Sequence, residues 1–263
     1  MQQPGTSKSS WLFVAANYVG WPLLAIYGLC MFVYPWHTGS WRHVQDVWDR
    51  WQTLNAGALA FLASLLAFNI AKYNENRQRE RDFTASKAFL PSTLSGIMEY
   101  CAQSASILGT LWQSPGGKGP ALHLPSLPKD YREVFSNCIR HADPEVGAYL
   151  SNILVRLQVH EARLRDAIGD STSGIERVAD KYSLLAYLLR VGEIYVLTGN
   201  LFAFARGEEV IRAKTLTWDD FRSAYSILDL EIDDFFIDEA MNLMAFTKRW
   251  LERTNGSSSE PAQ

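Results

Sequence analysis

From Ser9 to Trp36 the chain carries no charged residue. The run WLFVAANYVGWPLLAIYGLCMFVYPW inside that stretch exceeds the roughly 20 apolar residues needed to cross a bilayer as a helix. A second uncharged run, WQTLNAGALAFLASLLAFNIA from Trp51 to Ala71, also reaches spanning length. A cleaved signal peptide fits the first run poorly. Lys8 is the sole basic side chain ahead of it, the apolar region is too long, and no small-residue cleavage site follows. The expectation is an all-α protein: a two-helix transmembrane hairpin followed by a cytoplasmic helical bundle of about five helices.

The remaining composition fits that plan. With 25 Lys+Arg against 28 Asp+Glu the net charge is −3, which excludes a polybasic nucleic-acid binder. No direct nucleic-acid contact is expected. The three cysteines, Cys30, Cys101 and Cys138, form no CxxC and suit a bilayer and a reducing cytosol. Residues 1–10 form an N-terminal segment and 11–72 the hairpin, with spans near 11–35 and 52–71 and a connector at 36–51. A basic stalk follows at 73–90, a helical domain at 91–253, and a disordered tail at 254–263.

Positive charge sets orientation. Lys72, Arg77, Arg79, Arg81 and Lys87 follow the second span, whereas the connector has Arg42 and Arg50 offset by Asp46 and Asp49. Both termini are therefore expected in the cytoplasm of a bacterial inner-membrane protein. Lys72, Arg77, Arg79 and Arg81 are candidate contacts for anionic lipid headgroups. In the connector, Trp41, Val44, Trp48 and Trp51 recur at helical spacing. With Trp36 these tryptophans read as interfacial anchors, since indole prefers the headgroup region.

Within the second span Ala56, Ala60, Ala63 and Ala67 make a small-residue stripe, and Gly20 offers a small position in the first. Such faces let helices approach closely in lipid. They would serve packing within the hairpin, contact in a homo-oligomer, or both. Pro22 should kink the first span. Asn17, Asn55 and Asn69 are placed to hydrogen-bond between the helices. No ionisable residue interrupts either span, which argues against a proton relay.

Beyond the stalk, a helix break is expected near Pro91, a loop over Ser114 to Pro128, and an N-cap at Asp143–Pro144. A long apolar helix is expected over about Ile175 to Arg206, with Arg190 and Glu193 near its middle. Those charges favour a bundle core over a third span, with Arg190 pairing an acidic residue. Thr217 and Asp220 suggest a capping box opening one last helix through Trp250.

Signals for chemistry are sparse. Glu231, Asp234 and Asp238 would share a face of that last helix and are the candidate metal ligands, but no E-x-x-H accompanies them. His160–Glu161 lacks the second histidine of a zinc-protease helix, and GGKG lacks the framing of a phosphate-binding loop. Cys138 and His141 have no second ligand pair. No enzyme activity and no cofactor are expected.

The stretch RQRERDFTASKAFLPSTLSGIMEY, Arg77 to Tyr100, set in this layout, resembles a broad set of mostly uncharacterised bacterial two-span membrane proteins with a helical cytoplasmic domain. The resemblance carries no functional residues. Some proteins of that layout act as membrane-disrupting effectors in phage defence. The expected partners are the bilayer, further copies of the chain, and a cytoplasmic protein. The leading expectation is a non-enzymatic protein whose helical domain binds a partner or self-associates and couples this to the hairpin. An oligomeric pore or membrane-perturbing effector, and an enzyme with an acidic metal site, are the alternatives.

Overall fold

A computed structural model describes residues 8–113, 122–172, 180–209, 211 and 214–257. Those residues are overwhelmingly helical, with one short antiparallel strand pair. The chain divides between Arg79 and Glu80 into two compact units. Three helical stretches among the described residues are long and apolar enough to cross a membrane: Asn17–Thr38, Gln52–Lys87 and Lys181–Arg206.

The first unit begins with α1 (Lys8–Gly28), which runs unbroken through Pro22. The expected interruption there is displaced. A π-helical turn covers Leu29–Val33, with the Tyr34 amide donating to the Leu29 carbonyl five residues back. Pro35 follows at once, in α2 (Tyr34–Thr38). Proline has no N–H to give to the carbonyl one turn earlier, so a widened turn ahead of it accommodates the lost bond. The connector helix α3 (Trp41–Arg50) ends at Trp51, and α4 (Gln52–Lys87) then continues without a break through apolar run and polar stalk.

In the second unit a turn at Ala88–Phe89 separates α4 from α5 (Leu90–Gln113), so Pro91 sits in a first helical turn where its missing N–H costs nothing. Then come α6 (Tyr131–His141), α7 (Pro144–Thr172), α8 (Lys181–Gly199), α9 (Leu201–Arg206), α10 (Trp218–Ile227) and α11 (Leu243–Ser257). Most of the loop expected over Ser114–Pro128 and the Ile175 start of the long helix lie outside the described residues.

α8 is the central element and packs on α5, α7, α10 and α11. Leu184, Leu185, Leu188, Leu189, Val191 and Ile194 are all buried. A helix apolar on every side must be surrounded, which accounts for its place among four neighbours. Gly192 permits the tightest approach. A Cβ there would lie 2.6 Å from Cε1 of Tyr225 on α10.

The single last helix expected from Thr217 to Trp250 is instead two helices. The capping box does form, with Thr217 accepting from the Asp220 amide while Asp220 accepts from Thr217 N–H. But α10 stops at Ile227. Asp229 adopts a left-handed φ of 57°. The amides of Asp229 and Leu230 turn back to the carbonyls of Ser226 and Tyr225, closing a Schellman motif. A 3₁₀ turn (Ile232–Asp234) and strands β1 (Phe236–Asp238) and β2 (Met241–Asn242) lead into α11. The apolar spacing at Phe221, Tyr225, Leu228, Ile232 and Phe235 stays in helical phase across the break and conceals it. Aspartate, four times present between 229 and 238, favours local turns over helix interiors. At the far end α11 runs into the segment expected as tail, with Thr254 Oγ1 donating to the Trp250 carbonyl at 2.9 Å.

Candidate functional site

In the first unit the polar side chains of the apolar helices turn toward each other. Tyr27 donates its hydroxyl to Asn55 Oδ1 at 2.7 Å, and Asn55 Nδ2 donates to the Trp48 carbonyl at 2.8 Å. Asn69 Nδ2 donates to Asn17 Oδ1 at 3.1 Å and to the Leu65 carbonyl at 2.8 Å. Trp21 Nε1 also donates to Asn17 Oδ1 at 3.1 Å. The three asparagines thus link α1 to α4 and α4 to the connector. Between the two polar links, Gly20 lies against Leu65 and Phe61, and a Cβ there would be 3.3 Å from Leu65 Cδ2.

The alanine stripe is elsewhere. Ala56, Ala60, Ala63 and Ala67 are all exposed, while Asn55 and Leu65 are buried and Ala58, Leu62 and Asn69 partly so. The face of α4 that meets the rest of its unit is therefore the asparagine–leucine face. Hydrogen bonding fixes the rotation of α4, because an amide in an apolar setting needs a partner more than an alanine needs a neighbour. Among the tryptophans, Trp36, Trp41 and Trp51 are exposed, whereas Trp48 is half-buried against Phe32 at 4.8 Å. On the stalk, Lys72 pairs with Glu75 at 2.8 Å, Arg77 lies over the Tyr73 ring, and Arg79 and Arg81 are exposed.

The three candidate metal ligands do not share a helical face. Glu231 precedes the 3₁₀ turn and Asp234 ends it, with its carbonyl accepting from Trp112 Nε1 at 3.0 Å. Asp238 Oδ1 accepts from the amides of Ala240 and Met241, closing the strand turn. No group of three or more His, Cys, Asp or Glu residues with metal-binding geometry occurs among the described residues.

The buried ion pairs among the described residues centre on α8. Glu193, with its carboxylate 1% exposed, accepts from Arg156 Nε of α7 at 2.7 Å and from Arg190 Nη1 at 2.6 Å. Two half-open arginines thus neutralise a buried carboxylate, as burial of a charge requires. Arg190 also lies over the ring of Trp250 and lines a cleft between α7, α8 and α11. Arg163, Arg249 and Arg253 line the same cleft, and Tyr182, Phe246 and Trp250 supply its aromatic walls. Helical spacing puts Phe246, Arg249, Trp250 and Arg253 on one face of α11. Arg249 is braced by the carbonyls of Ala240 and Ala245.

No known protein family, curated protein or solved structure matches this chain.

The chemistry of the cleft is therefore read from its side chains. Sequence reasoning missed Arg163, Arg249 and Arg253. The spacing of Arg249 and Arg253 beside Phe246 and Trp250 was the available signal, but Arg163 joins them only through tertiary packing.

His160 of α7 is buried, and neither ring nitrogen has a hydrogen-bond partner among the described residues. Its ring stands edge-on to Tyr100 at 6.0 Å, and the Tyr100 hydroxyl lies beside Ser104 without hydrogen-bond geometry. Burial, reinforced by the charge of Arg163, pushes the imidazole down to about 4. Burial raises the thiols of Cys101 and Cys138, the latter to about 11. Neither cysteine is a thiolate at neutral pH, so neither is a ready nucleophile.

Proposed function

We propose that this chain is a non-enzymatic two-pass membrane protein with both termini in the cytoplasm of a bacterial cell. Its helical domain binds a partner or self-associates, and the hairpin anchors that event to the inner membrane. One observation carries the reading: the two N-terminal apolar helices are built inside out. Leu23, Ile26, Leu29, Leu59, Leu66 and Ile70 are exposed, while Asn55 is buried. Lipid tails are as apolar as leucine, so such a unit gains nothing from hiding leucine and much from pairing its amides. Of the three candidate stretches, 17% and 11% of the two N-terminal windows are buried, against 61% for Lys181–Arg206. That contrast, with Glu193 inside the third, supports two spans and a bundle core rather than three spans.

The exposed alanine stripe favours association between copies through α4. A single hairpin encloses no channel, so the alternative of a pore would require several copies.

A periplasm-dependent reporter inserted near Gly39 is expected to be active, and the same reporter after Asn255 silent. Activity at the second position overturns the two-span reading. Ala60→Leu with Ala63→Leu is expected to reduce crosslinking between copies while abundance holds, since both side chains face away from α1. Undiminished crosslinking removes α4 from the association surface.

A further inference from the structure

We infer that the cleft between α7, α8 and α11 binds a small organic phosphate carrying a planar ring, a nucleotide in chemical class. The inference goes beyond the anchoring role and does not rest on it.

Charge balance is the first ground. The protein as a whole is acidic, with a net charge of −3. Yet Arg163, Arg249 and Arg253 line one cleft and have no carboxylate within ion-pair distance among the described residues. The buried carboxylate of Glu193 on α8 is already shared between Arg156 and Arg190. Like charges gathered without counter-charges repel, and an anion relieves that repulsion. Three guanidinium groups with no carboxylate partner among the described residues suit a ligand with two or more negative charges.

Geometry supplies the second ground. Arg249 is held by two backbone carbonyls, and Arg190 by Glu193 and the Trp250 ring. Guanidinium groups fixed in this way present planar forks that match phosphate oxygens. Little side-chain entropy remains to be lost at those two positions.

The third ground is the wall. Tyr182 and Phe246 stand edge to face at 5.4 Å, and Trp250 borders the same space. Tyr182 is 47% exposed. Aromatic faces beside arginines stack planar rings, as they stack bases in nucleic-acid complexes. A bare inorganic anion would use the arginines and leave this wall idle.

The test uses the full chain in neutral detergent, with thermal unfolding and equilibrium binding as readouts. The probes are inorganic pyrophosphate, a purine and a pyrimidine nucleoside triphosphate, and vesicles containing a phosphatidylinositol phosphate. A nucleotide is expected to raise the midpoint and to bind at least tenfold more tightly than pyrophosphate. Arg163→Gln with Arg253→Gln is expected to weaken that binding at least tenfold. Both side chains are exposed, so the helical circular dichroism should be unchanged. The corresponding lysine pair keeps the charge without the fork and is expected to bind with intermediate affinity. Equal affinity for pyrophosphate and nucleotide overturns the stacking wall. Binding confined to the vesicles, and lost in the glutamine pair, keeps the phosphate and overturns the nucleotide. Absence of binding to every probe, or binding unmoved by the glutamine pair, overturns the site.

Discussion

Arg156 on α7 donates its Nε–H to Glu193 on α8 at 2.7 Å, and the carboxylate it reaches is almost wholly shut off from water. The arginine is 28% exposed and the glutamate 1%. This asymmetry decides how the pair responds to change. Removing Glu193 leaves cations that water can reach, whereas removing the arginines leaves a carboxylate that water cannot reach.

Arg156→Met combined with Arg190→Met is therefore expected to destabilise the protein by about 3–5 kcal/mol, the range for stranding a buried charge. Glu193→Leu should cost clearly less. Chemical unfolding of the three proteins in the same detergent checks the order. An equal or larger loss for Glu193→Leu would mean that the carboxylate is already well hydrated.

Gly192→Ala is expected to destabilise by about 1–3 kcal/mol through overpacking. The added methyl would meet the Tyr225 ring at 2.6 Å. That ring cannot swing away cheaply, because its hydroxyl is 2.9 Å from Thr247 Oγ1 and the whole residue is buried. Thermal unfolding of the alanine variant provides the comparison. Tyr225→Leu in the same background should restore part of the loss.

In the first unit, Tyr27→Phe removes one hydrogen bond to Asn55, and Asn55→Leu removes that bond together with the one to the Trp48 carbonyl. Hydrogen bonds between membrane helices average about 0.6 kcal/mol and reach roughly 1–2. The first variant is expected to lose about 0.6 kcal/mol and the second more. A double-mutant cycle in detergent separates the Tyr27–Asn55 bond from the rest. A coupling of zero would show that the two residues do not meet.

His160 makes stability depend on pH. Its folded-state pKa lies near 4, below the ordinary 6.5. Between those values the unfolded chain binds the proton and the folded chain does not. This contribution is fully present above about pH 6.5 and is lost as pH falls toward 4, reaching about 3 kcal/mol by linkage. His160→Phe keeps an aromatic ring and abolishes the titration. The midpoint of the variant should gain on that of the parent protein progressively between pH 6.5 and 4. A constant difference across that window would mean that His160 is solvated.

Much of this was legible in the chain itself. Charge-free runs of spanning length, the capping box at Thr217, the turn before Pro91 and the pairing of Arg190 all follow from local rules. Such rules depend on residues in one continuous stretch of chain, so the order of residues suffices. The break at Asp229 was not legible, because the apolar spacing stays in phase through it, and only the left-handed residue and the returning amides of Asp229 and Leu230 reveal it. The same break undid the acidic face of Glu231, Asp234 and Asp238.

Which face of α4 packs inward was likewise a tertiary matter. Sequence offers two stripes, alanine and asparagine, and the choice rests on whether Asn17 and Tyr27 lie opposite the amides. The arginine cleft is the clearest case. Arg163 and Arg253 come together only because α8, apolar all round, must be enclosed by α7 and α11, and the enclosing helices bring their outer arginines to one rim. Sequence determines the elements and their apolar faces through neighbouring residues. Long-range packing around α8 decides which distant charges become neighbours.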